Sequence, residues 1–212
     1  MTNKPLDILI VEDKRVHQES AEALLEGHNL SLVTNFEHAV DLLVGGDNHE
    51  GKWKKHFDVV LSDLMFPTGR GRMLADKSIS WDEVGFGYAI PFIAAREGIP
   101  NIAVVTDMNH HQHPLAYTMD FLKASGKTGP IAYRFKLNDS QVMFFDIRNL
   151  PRIYQLKDRT FTEERAYELS KEQREERFVL DDKGDPVEAK NWKAALDSLL
   201  GKDFAFGKED KD

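Results

Sequence analysis

Alternating blocks of apolar and polar residues predict a doubly wound α/β protein. Four short apolar runs are typical of strands buried on both faces of a parallel sheet, at 6–11, 30–34, 57–62 and 101–105. Segments with apolar residues at helical spacing follow these runs, at 14–26, 36–44, about 86–97 and 114–124. This alternation favours a parallel five-stranded sheet in the order 2-1-3-4-5, with helices on both faces.

The pattern is less regular after residue 127. Two strand-like runs, 131–137 and 141–147, flank the turn-like triplet 138–140, and either run could be the fifth parallel strand. Residues 160–178 are highly charged and predict a helix, in which Thr160 and Glu163 have the spacing of a capping box.

The same pattern suggests how the chain is organised. We expect a domain core at 1–147 with an enlarged loop after the third strand, from Gly69 to Gly85. A charged insertion or subdomain would follow at 148–188. An amphipathic stripe then predicts the closing helix at 189–201, before a flexible tail at 202–212.

Composition narrows the class of protein. Of the 212 residues, 41% are hydrophobic and 30% are charged, which is typical of a globular chain. The net charge of -8, without a sizeable basic patch, argues against nucleic-acid binding. The absence of cysteine excludes disulfides, thiolate zinc sites and cysteine nucleophiles. No apolar stretch is long enough to span a membrane or to form a signal peptide, so we expect a cytoplasmic protein.

Acidic and hydroxyl side chains follow three of the predicted strands. Glu12 and Asp13 come after the first strand, Asp63 after the third, and Thr106 ends the fourth. Because the carboxyl ends of parallel strands meet at one edge of a sheet, these side chains should converge. Neighbouring carboxylates repel one another unless a cation lies between them, and Mg²⁺ is the hard cation that prefers such oxygens.

Plainer interpretations exist for the same residues. The pair Glu12-Asp13 could simply cap the following helix. The cluster of His110, His111 and His113 after the fourth strand could bind a metal or reach the acidic crevice, or it could form an exposed polar loop.

Three segments together resemble the signature segments of response-regulator receiver domains. They are ILIVED (8–13), FDVVLSDLMFPTGRG (57–71) and AVVTD (103–107). Pro67 and Gly71 stand four and eight residues after Asp63, as they do in that family. The resemblance covers roughly residues 5–125 and implies a flavodoxin/CheY-like fold with a role in a two-component phosphorelay.

The resemblance also implies roles for individual residues. Asp63 would accept a phosphoryl group, and Thr106 would be the switch hydroxyl. Mg²⁺ would be held by Asp13, Asp63 and the backbone carbonyl of Met65, while Glu12 would orient a metal-bound water. A histidine kinase or phosphotransfer protein would supply the phosphoryl group, and the signal would pass by protein contact to a downstream target.

The chain departs from the family pattern at the lysine that receivers place after the fifth strand. Lys136 could serve if 131–137 is that strand, whereas the run 141–147 would bring Asp146 to this position and offer no lysine. A degenerate receiver that acts as a phosphorylation-independent interaction module is therefore an alternative. A Mg²⁺-dependent phosphohydrolase is a weaker one, because aspartate phosphatases of the haloacid dehalogenase type carry a second aspartate where this chain has Met65.

Overall fold

The computed structural model describes residues 4–45, 55–67, 85–107 and 133–202. Its main sheet contains six strands: β1 (Asp7–Val11), β2 (Asn29–Val33), β3 (Val59–Ser62), β4 (Asn101–Thr106), β5 (Tyr133–Leu137) and β6 (Ser140–Asp146). Its first helices are α1 (Arg15–Leu24), α2 (Phe36–Val44) and α3 (Ala89–Arg96), the last preceded by a 3-10 turn at Phe86–Tyr88.

The strands of the main sheet lie in the order β2-β1-β3-β4-β6-β5. The pairings β2-β1-β3-β4-β6 are all parallel, so the predicted parallel five-stranded core is present, with β6 in the fifth position. The strand β5 pairs antiparallel with β6 and adds a sixth strand at the edge. Asn138 makes the tight turn between them with a positive φ of 54°.

The chain between β6 and its last helix forms a second, smaller sheet. Its strands are β7 (Ile153–Gln155), β8 (Phe161–Thr162) and β9 (Glu188–Ala189), in the antiparallel order β8-β7-β9. The short helix α4 (Lys171–Arg177) and the helix α5 (Trp192–Leu199) follow, and two further 3-10 turns lie at Ile147–Asn149 and Ala166–Glu168. The small sheet buries its own apolar cluster, built around Tyr154, Ala166 and Phe178.

Two apolar cores lie on opposite faces of the main sheet because successive residues of each strand point to opposite sides. Leu9, Val60 and Val104 pack with the buried residues of α2 and α3. Ile8, Leu61 and Val105 pack instead with Ala21 of α1 and with Trp192 and other residues of α5. The helices therefore cover both faces, as the near-continuous apolar runs of the strands predict.

The prediction of a helix over 160–178 is wrong in its extent, because the observed helix covers only Lys171–Arg177. Phe161 and Thr162 pair with β7, and Thr160 donates both its backbone N–H and its hydroxyl to Asp158. The helix begins only at Lys171, where Ser170 and Gln173 form the capping box. The high charge of this stretch gives it helical propensity, but pairing with β7 and burial in the small core outweigh that propensity over its first half.

The closing helix also begins later than predicted. Residues 188–189 form β9, and the side chain of Asn191 caps α5 by accepting a hydrogen bond of 3.0 Å from the backbone N–H of Ala194. This boundary leaves one residue, Lys190, between the strand and the cap.

Several predicted features lie outside the described residues. They are the helix at 114–124, the cluster of His110, His111 and His113, Gly71 with most of the loop after β3, and nearly all of the tail. Among the helices that the structure describes, none combines the length and the apolar character needed to cross a membrane.

Candidate functional site

The carboxyl ends of β1 and β3 bring three acidic residues together. Val11 pairs with Ser62, so Glu12 and Asp13 leave the sheet beside Asp63. Oxygen atoms of these three carboxylates lie within 4.8 Å of one another. Glu12 and Asp63 are fully buried, whereas Asp13 is partly exposed. The acidic group can therefore hold a metal ion, as the order of the strands predicts.

A lysine from a distant part of the chain completes this group. The ammonium nitrogen of Lys190 lies 2.6 Å from Oε2 of Glu12 and 2.8 Å from Oδ1 of Asp63. Its side chain is fully buried, and the nitrogen also lies 5.4 Å from the centre of the Trp192 ring. Lys190 follows β9 directly, so the small sheet delivers this positive charge to the acidic edge of the main sheet.

The structure corrects the prediction that Lys136 could take this position. β5 is separated from β3 by β4 and β6, and it runs antiparallel to them. Lys136 pairs with Gln141 at the beginning of β6. It therefore lies near the amino ends of the parallel strands, whereas the acidic group lies at their carboxyl ends, and its side chain is exposed. At the end of β6 stands Asp146, which accepts hydrogen bonds from the backbone and the guanidinium of Arg148.

Lys190 was not predicted as a site residue, because it lies within the stretch 189–201 that the apolar pattern predicts as an amphipathic helix. One local signal was present, since Asn191 is a favoured N-cap residue directly before the apolar stripe of α5. A helix that begins after Asn191 leaves Lys190 outside the helical pattern, although this alone does not indicate where its side chain points.

Two carboxylate oxygens in the group are buried but lack donors. No described residue donates a hydrogen bond to Oδ1 of Asp13 or Oδ2 of Asp63. Both oxygens of Glu12, in contrast, accept bonds, Oε1 from the backbone N–H of Lys14 (2.9 Å) and Oε2 from Lys190. Buried polar atoms without partners are rare, and a hard divalent cation satisfies such oxygens. Asp13 and Asp63 therefore fit direct metal ligands, whereas Glu12 fits an anchor for Lys190.

The three carboxyl groups all have raised pKa values, chiefly because they are buried. Burial raises the pKa of Glu12 to about 8, because Lys190 offsets only part of the lost hydration and Asp63 repels the anion. Burial likewise raises the pKa of Asp63 and of Asp13. Burial alone would lower the pKa of Lys190, but the charges of Asp63 and Glu12 outweigh it and hold this pKa above its usual value. One ammonium group lies among three carboxyl groups, and a bound cation would neutralise the negative charge that Lys190 leaves when all three are ionised.

The residues at and directly after the end of β4 add polar contacts next to the acidic group. Thr106 is buried at the last position of the strand. The next residue, Asp107, accepts hydrogen bonds at Oδ2 from the ammonium of Lys14 (2.8 Å) and from Nε2 of His17 (3.1 Å). Although burial raises the pKa of Asp107, these donors and the charge of Lys190 hold it well below its usual range. Asp107 is therefore an anion fixed beside the predicted switch hydroxyl.

The backbone after β3 is fixed by close contacts. Leu64 donates its N–H to Oδ1 of Asp63 at 2.6 Å, and the hydroxyl of Ser62 donates to the backbone carbonyl of Asp63 at 2.7 Å. Gly87 donates its N–H to the carbonyl of Leu64, and a Cβ added at Gly87 would lie only 2.3 Å from the carbonyl oxygen of Asp63. Only glycine fits this contact without moving the Asp63 backbone. Met65 is buried two residues after Asp63, and the role of its carbonyl stays a prediction.

Comparison with known proteins yields low similarities. A scan against protein-family models finds no match, and a search of curated proteins finds none either. The chain is similar to the Mn²⁺-bound form of response regulator Rcp1 (20% identity, TM-score 0.37, 54% of this chain and 76% of that one). It is also similar to a fusion protein that carries part of the yeast Spc42 coiled coil (22% identity, TM-score 0.36, 59% and 66%). A third similarity is to the phosphorylated cyanobacterial phytochrome response regulator RcpA (20% identity, TM-score 0.30, 54% and 75%). At these values the likeness supports no statement about function, and the fold is defined by its own strand order and helix placement.

Proposed function

We propose that this chain is a receiver module of a two-component system, in which Asp63 accepts a phosphoryl group with the help of Mg²⁺ and Lys190. One observation carries the proposal. Lys190 lies 2.8 Å from Oδ1 of Asp63, while Oδ2 of Asp63 and Oδ1 of Asp13 are buried without donors. A nucleophilic carboxylate, a fixed positive charge and an open pair of oxygen ligands are the parts that phosphoryl transfer requires.

The metal would be held by Asp13 and Asp63, together with the carbonyl of Met65 that the resemblance implies. Bound there, Mg²⁺ would neutralise charge on the transferring phosphoryl group. The donor set supports this assignment because it consists of oxygens alone. Glu12 would act by holding Lys190, since both of its oxygens already accept hydrogen bonds from this chain.

The transfer step itself is a substitution at phosphorus. An oxygen of Asp63 attacks the phosphorus atom, the bond to the leaving group breaks, and the leaving group departs with the bonding electron pair. The product is a mixed carboxylic–phosphoric anhydride on Asp63. The ammonium of Lys190, now 2.8 Å from Oδ1 of Asp63, would stabilise the new phosphoryl oxygens. Thr106 is placed at the end of the neighbouring strand, where its hydroxyl would bond a phosphoryl oxygen.

The donor would be a histidine kinase or a phosphotransfer protein, and the signal would pass by contact with another protein. These partners follow from the proposed chemistry. No output region is needed for this mode of signalling.

One observation favours the alternative of a receiver that is never phosphorylated. The side chain of Asp63 is only 1% exposed, so a phosphodonor must first gain access to it. Under this alternative the two buried ion pairs that Lys190 forms with Glu12 and Asp63 would only stabilise the fold. The chain would then act as a constitutive interaction module.

Incubation with acetyl phosphate and Mg²⁺, followed by intact-protein mass spectrometry, distinguishes the two. We expect one phosphoryl group on the wild-type chain and none on Asp63→Asn or in EDTA. The variant Asp58→Asn is the matched control, because Asp58 directly precedes β3, at the opposite end of the strand from Asp63, and its carboxylate accepts the backbone N–H of Asp7 there (2.9 Å). Wild-type protein that binds Mg²⁺ and yet stays unmodified would support the interaction module. Modification that persists in Asp63→Asn would contradict the proposed acceptor.

A further inference from the structure

His17 is a buried polar residue of α1 to which the proposed chemistry gives no role. It is 2% exposed and lies on the face of α1 that meets the chain around Lys190. The indole N–H of Trp192 donates to the backbone carbonyl of His17 at 2.8 Å, so α1 and the beginning of α5 are held together at this point.

Both ring nitrogens of His17 are in hydrogen bonds, and the bonds have opposite directions. Nδ1 accepts the backbone N–H of Lys190 at 3.2 Å, and Nε2 lies 3.1 Å from Oδ2 of Asp107. Asp107 is an anion and accepts only, so Nε2 carries the proton and Nδ1 is left as the acceptor. Asp107 thereby fixes the tautomer that the backbone of Lys190 requires.

The backbone of Lys190 has further support from the same helix. Its carbonyl oxygen lies 2.9 Å from the hydroxyl of Ser20, one turn after His17, and shares the single proton of that hydroxyl with the carbonyl of His17 at 2.8 Å. The N–H and the C=O of Lys190 are thus both held by α1, while its side chain reaches Glu12 and Asp63. A lysine with a long flexible side chain contributes to a reaction only when its starting point is fixed.

We propose that His17 is a positioning residue for Lys190. The imidazole holds the backbone of Lys190 at the depth from which its ammonium reaches Asp63, and it ties that backbone to Asp107 at the end of β4. This inference rests on the proposed function for its chemical consequence, but the positioning itself can be tested separately.

Two isosteric substitutions separate the two bonds of the ring. The carbonyl oxygen of asparagine falls near the place of Nδ1, so His17→Asn keeps an acceptor for the N–H of Lys190. The amide nitrogen of glutamine falls near the place of Nε2, so His17→Gln keeps the donor to Asp107 and loses the acceptor. His28→Gln is the matched control, because Nδ1 of His28 also accepts a backbone N–H, from Leu6, away from the site.

The first measurement is hydrogen exchange of the Lys190 amide, read by NMR. We expect His17→Gln to accelerate this exchange by roughly five- to tenfold, the loss expected for one hydrogen bond, and His17→Asn to restore most of the protection. Unchanged exchange at Lys190 in His17→Gln, or equal acceleration in His28→Gln, would overturn the inference.

The second measurement compares two ligands, Mg²⁺ alone and beryllofluoride with Mg²⁺, by calorimetry. We expect His17→Gln to weaken beryllofluoride about tenfold, to leave the affinity for Mg²⁺ alone within about twofold, and to be rescued in His17→Asn. A purely structural role would change both affinities together, and that result would also overturn the inference. Wild-type protein that fails to bind beryllofluoride would refute the proposed function instead, and the exchange experiment would then decide on His17.

Discussion

The two halves of the candidate site are built in different ways. The acidic half stands directly after β1 and β3, so adjacent parallel strands place Glu12, Asp13 and Asp63 together. The basic half, Lys190, follows a two-residue strand of the small sheet and reaches the site only because that sheet and α5 pack against α1. The acidic half depends on the pairing of two strands of the main sheet, whereas the basic half depends on packing between the small sheet, α5 and α1.

The inserted segment, residues 148–188, therefore supports the site through packing, although Lys190 itself follows it in the chain. Gln155 of β7 donates to Glu19 of α1 at 2.7 Å, and Asn191 donates to the carbonyl of Pro151 at 3.1 Å. The first contact connects the small sheet to α1, the helix that holds Lys190, and the second connects the chain before β7 to the cap of α5. Three substitutions or conditions test how far the dependence goes.

The largest effect is expected from removal of the buried lysine. Lys190→Met leaves Glu12 and Asp63 buried without their shared cation, which should lower the free energy of unfolding by roughly 3–5 kcal/mol in EDTA. Lys136→Met is the matched control and should change it by less than about 0.5 kcal/mol, because Lys136 is exposed. Urea denaturation at neutral pH measures both. Similar effects for the two lysines would contradict the assignment of Lys190 to the site.

A somewhat smaller effect is expected on acidification. Burial lowers the pKa of His17 from its usual 6.5 to about 4, although its hydrogen bond to Asp107 opposes this shift. Between these two values the unfolded chain binds a proton that the folded chain excludes. Stability should therefore be unaffected by this residue above pH 6.5 and should fall as the pH is lowered toward 4, by up to roughly 3 kcal/mol.

The matched measurement uses His17→Asn, which cannot titrate. Urea denaturation from pH 7 to pH 4 should give a shallower loss of stability for this variant than for the wild type. Parallel curves would mean that the pKa of His17 is not lowered in the folded chain, contrary to the effect expected from its burial.

The smallest effect is expected from the cap of α4. Ser170→Ala removes half of the capping box on a helix with no buried residue, which should cost about 1 kcal/mol locally. Amide exchange should accelerate in α4 alone, and phosphorylation by acetyl phosphate should stay at the wild-type level. A loss of phosphorylation would show that the site depends on the outer part of the inserted segment as well as on β9.

The sequence predicted correctly those parts of the molecule that depend on the local pattern of apolar residues. The bounds of α2 at 36–44 agree with the prediction, and the strands that carry Glu12, Asp63 and Thr106 were identified from their apolar runs. Parallel strands buried on both faces leave a strong signal because nearly every residue is apolar.

The parts that were not predicted depend on pairing between distant segments. Periodicity identified 131–137 and 141–147 as strands but could not decide which is parallel to β4. The first half of the charged stretch 160–178 does not form the predicted helix, because residues 161–162 pair with β7. Lys190 was hidden for the same reason, since nothing near it in the chain indicates that α1 holds its backbone.

The glycine at position 87 makes the acceptor sensitive to a residue that is remote from it in the chain. Gly87 donates its N–H to the carbonyl of Leu64, and it lies so close to the carbonyl of Asp63 that an added Cβ would be 2.3 Å from that oxygen. A single methyl group at position 87 should therefore displace the backbone of Asp63 and disturb the acceptor, although the substituted residue carries no functional group.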